Sequence, residues 1–250
     1  MDKIKKIFLA TLIPLTLSFS ANAAELNSNN PQDYKQFRMD YAEMVELANP
    51  TRLSHRIFYT KPSTGPHAKW FDAVKQGDIE TIKTMVENGQ DIEVKDEAEL
   101  GQTALGWAAF IGYEDIVDYL ISKNANLMAT DRGDVPNALK SAGLGKNLAV
   151  FKKLHELLKD KIDLNNQSND MQGETVLIVA ASNDRQDIVK YLLEQGVKTD
   201  LVTTEKDPNH PGYDQDALTF ACRNGNSGTI DILIKHGAIN HRTNKAYCDY

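Results

Sequence analysis

A short helix–turn–helix unit recurs along the chain, and this recurrence limits the possible folds more than any other feature of the sequence. In the clearest copy, residues 101–131, Thr103 opens a first helix, Gly112 permits a reversal and Asn124 ends a second helix. One such unit cannot bury its apolar face alone, so several copies must stack on one another. Leucines at the equivalent position of the first helix are separated by 34, 38 and 41 residues: Leu105, Leu139, Leu177 and Leu218.

This unit resembles the ankyrin repeat. The resemblance implies an all-α ankyrin-repeat solenoid of about five helix-turn-helix repeats over residues 68–243, followed by a short tail at residues 244–250. The third repeat departs most from the pattern, because Lys146 occupies a Gly position and leaves Gly143 and Gly145 to supply the turn. The family's Thr-Pro-Leu-His-x-Ala pattern keeps its Thr, Leu and Ala positions in the clearest copy and loses its Pro and His: the matching residues are Thr103, Ala104, Leu105, Gly106, Trp107 and Ala108.

Residues 1–23 have the pattern of a secretory signal peptide. They combine a basic start with three lysines, an apolar run over residues 7–19 and a small-x-small cleavage site that ends at Ala23. A membrane anchor is the alternative, but the apolar run is short for a span of about 20 residues. We therefore expect cleavage after residue 23, a periplasmic or secreted protein, and no membrane insertion of the mature chain.

Residues 24–67 are predicted to form an N-terminal helix and a linker. Asn30-Pro31 is typical of a helix start, and Asn49-Pro50 is typical of a helix end. We expect this helix to cover the exposed face of the first repeat; a helix that binds a partner is the alternative. Between the two ends, apolar residues recur at helical spacing: Tyr34, Phe37, Tyr41, Met44, Val45 and Ala48.

The charge and the two cysteines limit the partners and the environment. The formal net charge is −7, and −9 without the signal peptide, which argues against nucleic acid and anionic membranes and suits a basic protein partner. Cys222 and Cys248 can form a disulfide in an oxidising compartment and close a loop of about 27 residues. The alternative is that Cys222 is a reduced core residue, because it occupies the second Ala position of a repeat.

The sequence lacks the common patterns of catalytic and metal sites. It contains no GxSxG, HExxH, CxxC or phosphate-binding GxxxxGK pattern, and its six histidines are scattered. His210 shares a loop with Asp207, Asp214 and Asp216, but this spacing fixes no ligand geometry and favours a solvated turn. We therefore expect no catalytic residue, no metal site and no cofactor.

The resemblance also implies where a partner protein would bind. The family binds proteins through the turn tips and the inward face of the first helices, and the longest insertion, residues 203–216, lies in one of these turns. Phe110 and Ile111 occupy positions that face solvent in such a repeat, so they predict an exposed apolar patch; alternatively, the N-terminal residues fold over and bury them. The residues expected to bind the partner are Trp107, Phe110, Ile111, Tyr113, Asp131, Arg132, Asn183, Asp207, His210, Tyr213 and Arg223.

These features favour an exported, non-catalytic protein-interaction module that is a monomer when free. The resemblance to bacterial ankyrin-like proteins of the cell envelope implies two settings. In the first, the chain binds a toxin or an enzyme and antagonises it or protects against it, as an immunity protein does. In the second, it is an accessory factor in oxidative-stress defence or cofactor handling. A hydrolase that uses the histidines and carboxylates is a third hypothesis.

Overall fold

The computed structural model describes residues 34–129, 131–133, 135–168 and 170–248, so the signal peptide expected at residues 1–23 lies outside the described part. Within that part, helix α1 (Tyr41–Leu47) precedes five helix pairs. The pairs are α2 (Ala68–Gln76) and α3 (Ile79–Glu87), α4 (Ala104–Ile111) and α5 (Glu114–Ser122), α6 (Ala138–Leu144) and α7 (Leu148–Leu158), α8 (Val176–Ser182) and α9 (Gln186–Glu194), and α10 (Ala217–Arg223) and α11 (Ser227–Lys235).

The helix pairs stack in two layers. The first helices α2, α4, α6, α8 and α10 contact one another in chain order, and the second helices α5, α7, α9 and α11 do the same. A two-residue antiparallel ladder joins β1 (Lys95–Asp96) to β2 (Gln102–Thr103) in the loop before α4. The predicted all-α solenoid of five helix-turn-helix repeats is therefore confirmed. Over the described residues, no helix has the length and apolar character needed to cross a membrane.

Side chains at the helix ends explain where the helices begin and turn. Thr103 accepts a hydrogen bond from the Gly106 amide at the start of α4, and Thr175 caps α8 in the same way. Gly112 (φ 96°) and Asn124 (φ 64°) both take the left-handed backbone that the sequence predicts for the ends of the two helices of the second repeat. These local signals therefore set the period of the solenoid.

In the third repeat, Gly143 and Gly145 do not form the turn between the two helices in the way that the sequence predicts. Gly143 lies inside α6, and Gly145 has an extended backbone rather than a left-handed one. Gly145 is required for packing instead, because a Cβ atom there would lie 2.4 Å from the Phe110 carbonyl oxygen. The missing side chain lets α6 approach α4 closely.

Residues 34–66, which we call the N-terminal segment, lie against the layer of first helices. Helix α1 begins at Tyr41, where Asp40 forms a capping box with Glu43. The helix start expected at Asn30-Pro31 lies outside the described residues. The expected continuous helix from there to α1 is wrong, because the backbone around Tyr34 and Phe37 forms a short turn and an irregular stretch before the cap. The segment also reaches well beyond the first repeat.

The outward half of the N-terminal segment follows the reversals between first and second helices. It starts at the first repeat and reaches the fifth repeat near residue 52, so it contacts nearly the whole length of the solenoid. Its main-chain contacts are Arg38 N–H to the Gln76 carbonyl at 2.8 Å, the Leu47 carbonyl to the Arg185 guanidinium at 2.6 Å, and the Arg52 guanidinium to the Asn224 carbonyl at 2.8 Å.

The returning half crosses the face of the first two repeats. The Phe58 ring lies 6.3 Å from the Trp107 ring and 6.2 Å from the Phe110 ring, centroid to centroid. Further on, the Lys75 ammonium donates a hydrogen bond to Ser63 Oγ at 3.0 Å. This half therefore buries the aromatic side chains of α4, and the burial stabilises both the segment and the solenoid.

Buried ion pairs tie the loops between repeats to the rest of the structure. Helix α4 of the second repeat has no basic residue. Arg56 of the N-terminal segment instead supplies the cation for Asp131, in the loop that follows the second repeat, with its guanidinium 2.6 Å from the carboxylate. Both side chains are almost completely buried. In the first and third repeats the cation comes from the repeat's own first helix, in the pairs Lys75–Asp96 and Lys140–Asp170.

A disulfide holds the C-terminal residues against the last repeat. Cys222 in α10 and Cys248 are joined, with their Cα atoms 5.4 Å apart. Of the two alternatives for these cysteines, the structure contains the bridge. An isolated antiparallel bridge between Asn240 and Lys245 shapes the same stretch.

We expect Arg56→Ala to lower the free energy of unfolding by about 3–5 kcal/mol, because it leaves the buried Asp131 carboxylate without its cation. The matched control is Lys153→Ala, which removes an exposed pair with Asp118 and should cost less than about 1 kcal/mol. Urea unfolding followed by circular dichroism measures both variants. Equal losses for the two variants would contradict the role given to Arg56.

Candidate partner-binding cleft

The aromatic patch expected on the second repeat is buried. Trp107 is 0% exposed, Phe110 1%, Ile111 3% and Tyr113 5%. The expected exposure of Phe110 and Ile111 is therefore wrong. The Phe58 ring of the N-terminal segment packs against Phe110, as the alternative interpretation proposed. A partner cannot reach these four side chains while the segment stays in place.

Tyr113 shows how tightly this end of the second repeat is closed. Its hydroxyl donates a hydrogen bond to the Lys75 carbonyl oxygen at 3.3 Å, and the Arg38 guanidinium stacks 4.1 Å from its ring centroid. Burial raises the pKa of Tyr113 to about 12, although the positive charge of Arg38 acts in the opposite direction. The residue is thus a packed neutral side chain.

Two further candidates lie on the loop before the third repeat and differ in accessibility. The Asp131 carboxylate is fully buried against Arg56 and also accepts hydrogen bonds from the Gly133 and Val135 amides. Arg132 points outward and pairs with Glu97 of the preceding loop. Only Arg132 of these two is accessible to a partner.

An open cleft of about 380 Å³ lies at the C-terminal end of the first-helix layer. One wall is the turn of the N-terminal segment at residues 51–53, and the opposite wall is the loop at residues 210–212. The floor is formed by the ends of the first helices of the third, fourth and fifth repeats. Three residues that the sequence predicts as partner-binding line this cleft together: Asn183, His210 and Arg223.

Hydrogen bonds to the main chain position the two arginines of the cleft. Arg52 donates to the Asn224 carbonyl oxygen at 2.8 Å, and Arg223 donates to the Pro211 carbonyl oxygen. Both side chains are otherwise exposed to solvent. Arg52 was missed by the sequence analysis, because nothing in its neighbourhood along the chain indicates that the N-terminal segment reaches the fifth repeat.

The loop at residues 203–216 is a shaped projection, as its prolines and glycine predict. Thr203 closes its base, because its hydroxyl donates to the Gly212 carbonyl and accepts from the Gln215 amide. His210 Nδ1 accepts a hydrogen bond from the Gly212 amide at 3.0 Å. The two remaining candidates on this loop, Asp207 and Tyr213, are exposed but lie outside the cleft lining.

The acidic residues at the end of this loop bind a histidine from the C-terminal stretch. His241 Nε2 lies 2.9 Å from Asp214 Oδ1, and its Nδ1 lies 2.9 Å from Asp216 Oδ2. These carboxylates are thus separated from His210, and they fix the loop to the last repeat. Within the described ranges, no group of three or more metal-ligating side chains could hold a metal ion.

A buried arginine lies next to the cleft. Arg185 is 6% exposed and donates to the carbonyl oxygens of Leu144 at 2.7 Å and Leu47 at 2.6 Å. Burial lowers the pKa of its guanidinium to about 10, although the negative charges of Glu46 and Asp184 act in the opposite direction. Arg185 lines a smaller cavity of about 140 Å³ that shares Arg52 and Asn183 with the cleft.

The arrangement suits recognition through hydrogen bonds and charge. The Ser182 hydroxyl at the edge of the cleft donates to the Val179 carbonyl, so it is not paired with a base that would activate it. The cleft otherwise presents arginines, amides and a small apolar surface that includes Phe220. Such a surface can bind a segment of a polypeptide.

Comparison with known proteins identifies the same repeats that the structure shows. A family model described as ankyrin repeats (3 copies) matches residues 70–156 and 139–244. Protein phosphatase 1 regulatory subunit 27 of Homo sapiens is 42% identical over 82 residues, which are 32% of this chain and 52% of that protein.

Two other relatives are matched over smaller shares of their length. L-asparaginase of Dirofilaria immitis is 29% identical over 153 residues, 49% of this chain and 25% of that protein. Ankyrin repeat and KH domain-containing protein mask-1 of Caenorhabditis elegans is 24% identical over 166 residues, 66% of this chain and 6% of that protein. The chain thus spans about half the length of the first of the three relatives and less of the other two.

Phe110→Ala is expected to act on stability, because the side chain is part of the core. We expect a loss of about 3–5 kcal/mol in the free energy of unfolding, as for other large-to-small core substitutions. Met171→Ala is the control, since Met171 is 73% exposed and its loss should change stability by less than about 0.5 kcal/mol. Chemical unfolding of both variants is the measurement, and an unchanged stability of Phe110→Ala would show that the ring is not packed as described.

Proposed function

Because the chain belongs to the ankyrin repeat family and is a protein-binding module, we propose that it captures one partner protein in the periplasm and antagonises that partner or protects against it, as an immunity protein does. The partner is a toxin or an enzyme, and the chain itself acts without catalysis. The antagonism follows from occupancy, since a bound chain covers the surface that the partner needs for its own activity.

The open cleft is the observation that supports this proposal best. Most of the first-helix layer is already covered by the N-terminal segment, yet this cleft remains open and brings together Asn183, His210 and Arg223. Its walls come from three separate parts of the chain, and internal hydrogen bonds hold each wall in place. A preformed surface of this kind binds with a small loss of conformational entropy.

Two features support export. The pattern of residues 1–23 is that of a cleavable secretory leader. The Cys222–Cys248 disulfide suits an oxidising compartment such as the periplasm, because the cytosol keeps most thiols reduced.

Affinity capture tests the binding part of the proposal. The mature chain, residues 24–250, serves as bait for a periplasmic extract of the producing bacterium, and the captured protein is identified and purified. Ser182→Trp should reduce capture about tenfold or more, because the indole fills the cleft at its edge. The matched control is Leu157→Trp, an exposed position on α7 outside the cleft lining, which should capture as the unmodified chain does.

Two outcomes would count against the proposal. Equal capture by the two tryptophan variants would place the binding surface elsewhere. A captured partner whose own activity is unchanged by saturating amounts of the chain would contradict antagonism.

The export proposal predicts that the redox state of Cys222 and Cys248 depends on the compartment in which the chain is found. The full chain should appear in the periplasm in an oxidised form that resists thiol alkylation, whereas a variant without residues 1–23 should stay in the cytosol with alkylatable cysteines. Cys222→Ser with Cys248→Ser should lower the free energy of unfolding by about 3 kcal/mol through the lost loop constraint. Cell fractionation and alkylation followed by mass spectrometry measure the location and the redox state, and a full chain that remains reduced in the cytosol would contradict export.

A further inference from the structure

The cleft differs in charge from the rest of the molecule. The whole chain has a formal net charge of −7. In contrast, the cleft lining contains two arginines, Arg52 and Arg223, and one carboxylate, Glu174. A cationic cleft on an acidic protein indicates a specific anionic ligand rather than diffuse electrostatic adhesion.

The two arginines of the cleft, Arg52 and Arg223, have further N–H donors available for a ligand. A guanidinium carries five N–H donors, and in the described residues the hydrogen bonds of Arg52 and Arg223 go to one main-chain carbonyl each. Neither forms an ion pair with a carboxylate there. Both side chains are exposed at the rim of the cleft, so they can pair with carboxylates of a ligand.

The nearest carboxylates of the chain are engaged elsewhere. Glu46 pairs with Lys146, although it also lines the adjoining cavity with Arg52 and Arg185. Asp184 accepts hydrogen bonds from Thr229 Oγ1 at 2.6 Å and, more weakly, from Gln186. Arg52 and Arg223 thus keep N–H donors available for a ligand.

Arg185 adds a third positive charge behind the cleft. Its guanidinium is buried and bound only to main-chain carbonyl oxygens, in the cavity that adjoins the cleft at Arg52 and Asn183. A buried charge is less screened by salt than an exposed one. Glu46 and Asp184 act against the Arg185 charge, so the exposed Arg52 and Arg223 are the cations that a ligand meets.

The remaining lining favours a peptide over a small inorganic anion. Leu53, Leu144 and Phe220 are buried apolar residues at the base of the cleft, and the side-chain amides of Asn183 and Asn224 lie beside them. A volume of about 380 Å³ falls within the range of ligand pockets and exceeds what one small anion needs. Apolar and amide surface of this size matches the side chains and main chain of a polypeptide.

We propose that the occupant of this cleft is an acidic peptide segment of the partner protein, whose Asp or Glu carboxylates accept hydrogen bonds from Arg52 and Arg223. The inference rests on the proposed function, because it names the chemistry of the segment that the partner inserts. The acidic net charge is a property of the whole chain, whereas the arginines of the cleft determine which segment of a partner binds there.

Fluorescence anisotropy with two short peptides tests the chemistry of the cleft. The probe is a fluorescein-labelled octapeptide of alternating glutamate and alanine, and its control has glutamine in place of glutamate. The glutamate peptide should bind the mature chain, and the glutamine peptide should bind about tenfold more weakly or worse. Equal binding of the two peptides, or no binding of either, would overturn the inference.

Arginine variants test the place of binding. Arg52→Gln combined with Arg223→Gln should weaken binding of the glutamate peptide about tenfold or more, while Arg132→Gln removes an exposed arginine outside the cleft and should change it less than about twofold. Thermal unfolding checks that the variants remain folded. An equal effect of the double variant and Arg132→Gln would overturn the inference, as would tighter binding of a labelled oligonucleotide than of the peptide.

The captured partner separates this inference from the proposed function. A partner that binds the unmodified chain and the double arginine variant equally well would overturn the acidic-segment inference and leave capture of a partner intact. Binding of the glutamate peptide at the two arginines, together with no captured partner, would support the chemistry of the cleft and count against the proposed function.

Discussion

The structure depends on the packing of the Phe58 ring against Trp107 and Phe110. This contact joins a segment far from α4 in sequence to the most apolar first helix of the solenoid, and it removes three aromatic rings from water. The neighbouring Arg56–Asp131 pair fixes the register of the same segment, since a buried carboxylate requires its cation at one place only. Burial and ion pairing therefore act on the same few residues and hold the N-terminal segment in one position.

The position of this segment decides which part of the solenoid is open to a partner. The segment reaches the fifth repeat at Arg52 and then returns across the first two repeats, where it covers the aromatic side chains of α4. Its turn, at residues 51–53, becomes a wall of the open cleft instead of a lid over it. The C-terminal loop at residues 203–216 forms the other wall, so the two irregular parts of the chain jointly define the candidate site.

The sequence predicted the repeats well because the signals for them are local. A polar helix cap, a left-handed Gly112 and Asn124, and one buried leucine in the first helix of each of the last four repeats are signals that act over a few residues. The site was predicted only in part, because it depends on a contact over long range. Asn183 and Arg223 occupy turn positions that the repeat pattern identifies, whereas Arg52 reaches the fifth repeat only after the segment has crossed the others. The aromatic residues of α4 were assigned to the surface for the same reason, since a repeat taken alone does not show what covers it.

The central claim is that residues 34–66 lie in contact with the first-helix layer in the free protein. Nuclear Overhauser spectra of the isotope-labelled mature chain test it most directly, since the ring protons of Phe58 should give cross-peaks to those of Trp107 and Phe110. The account predicts these cross-peaks together with shifts of the Phe58 ring that differ from those of a random coil. Random-coil shifts for the segment and no cross-peaks to Trp107 would contradict it, because the aromatic face of the second repeat would then be open.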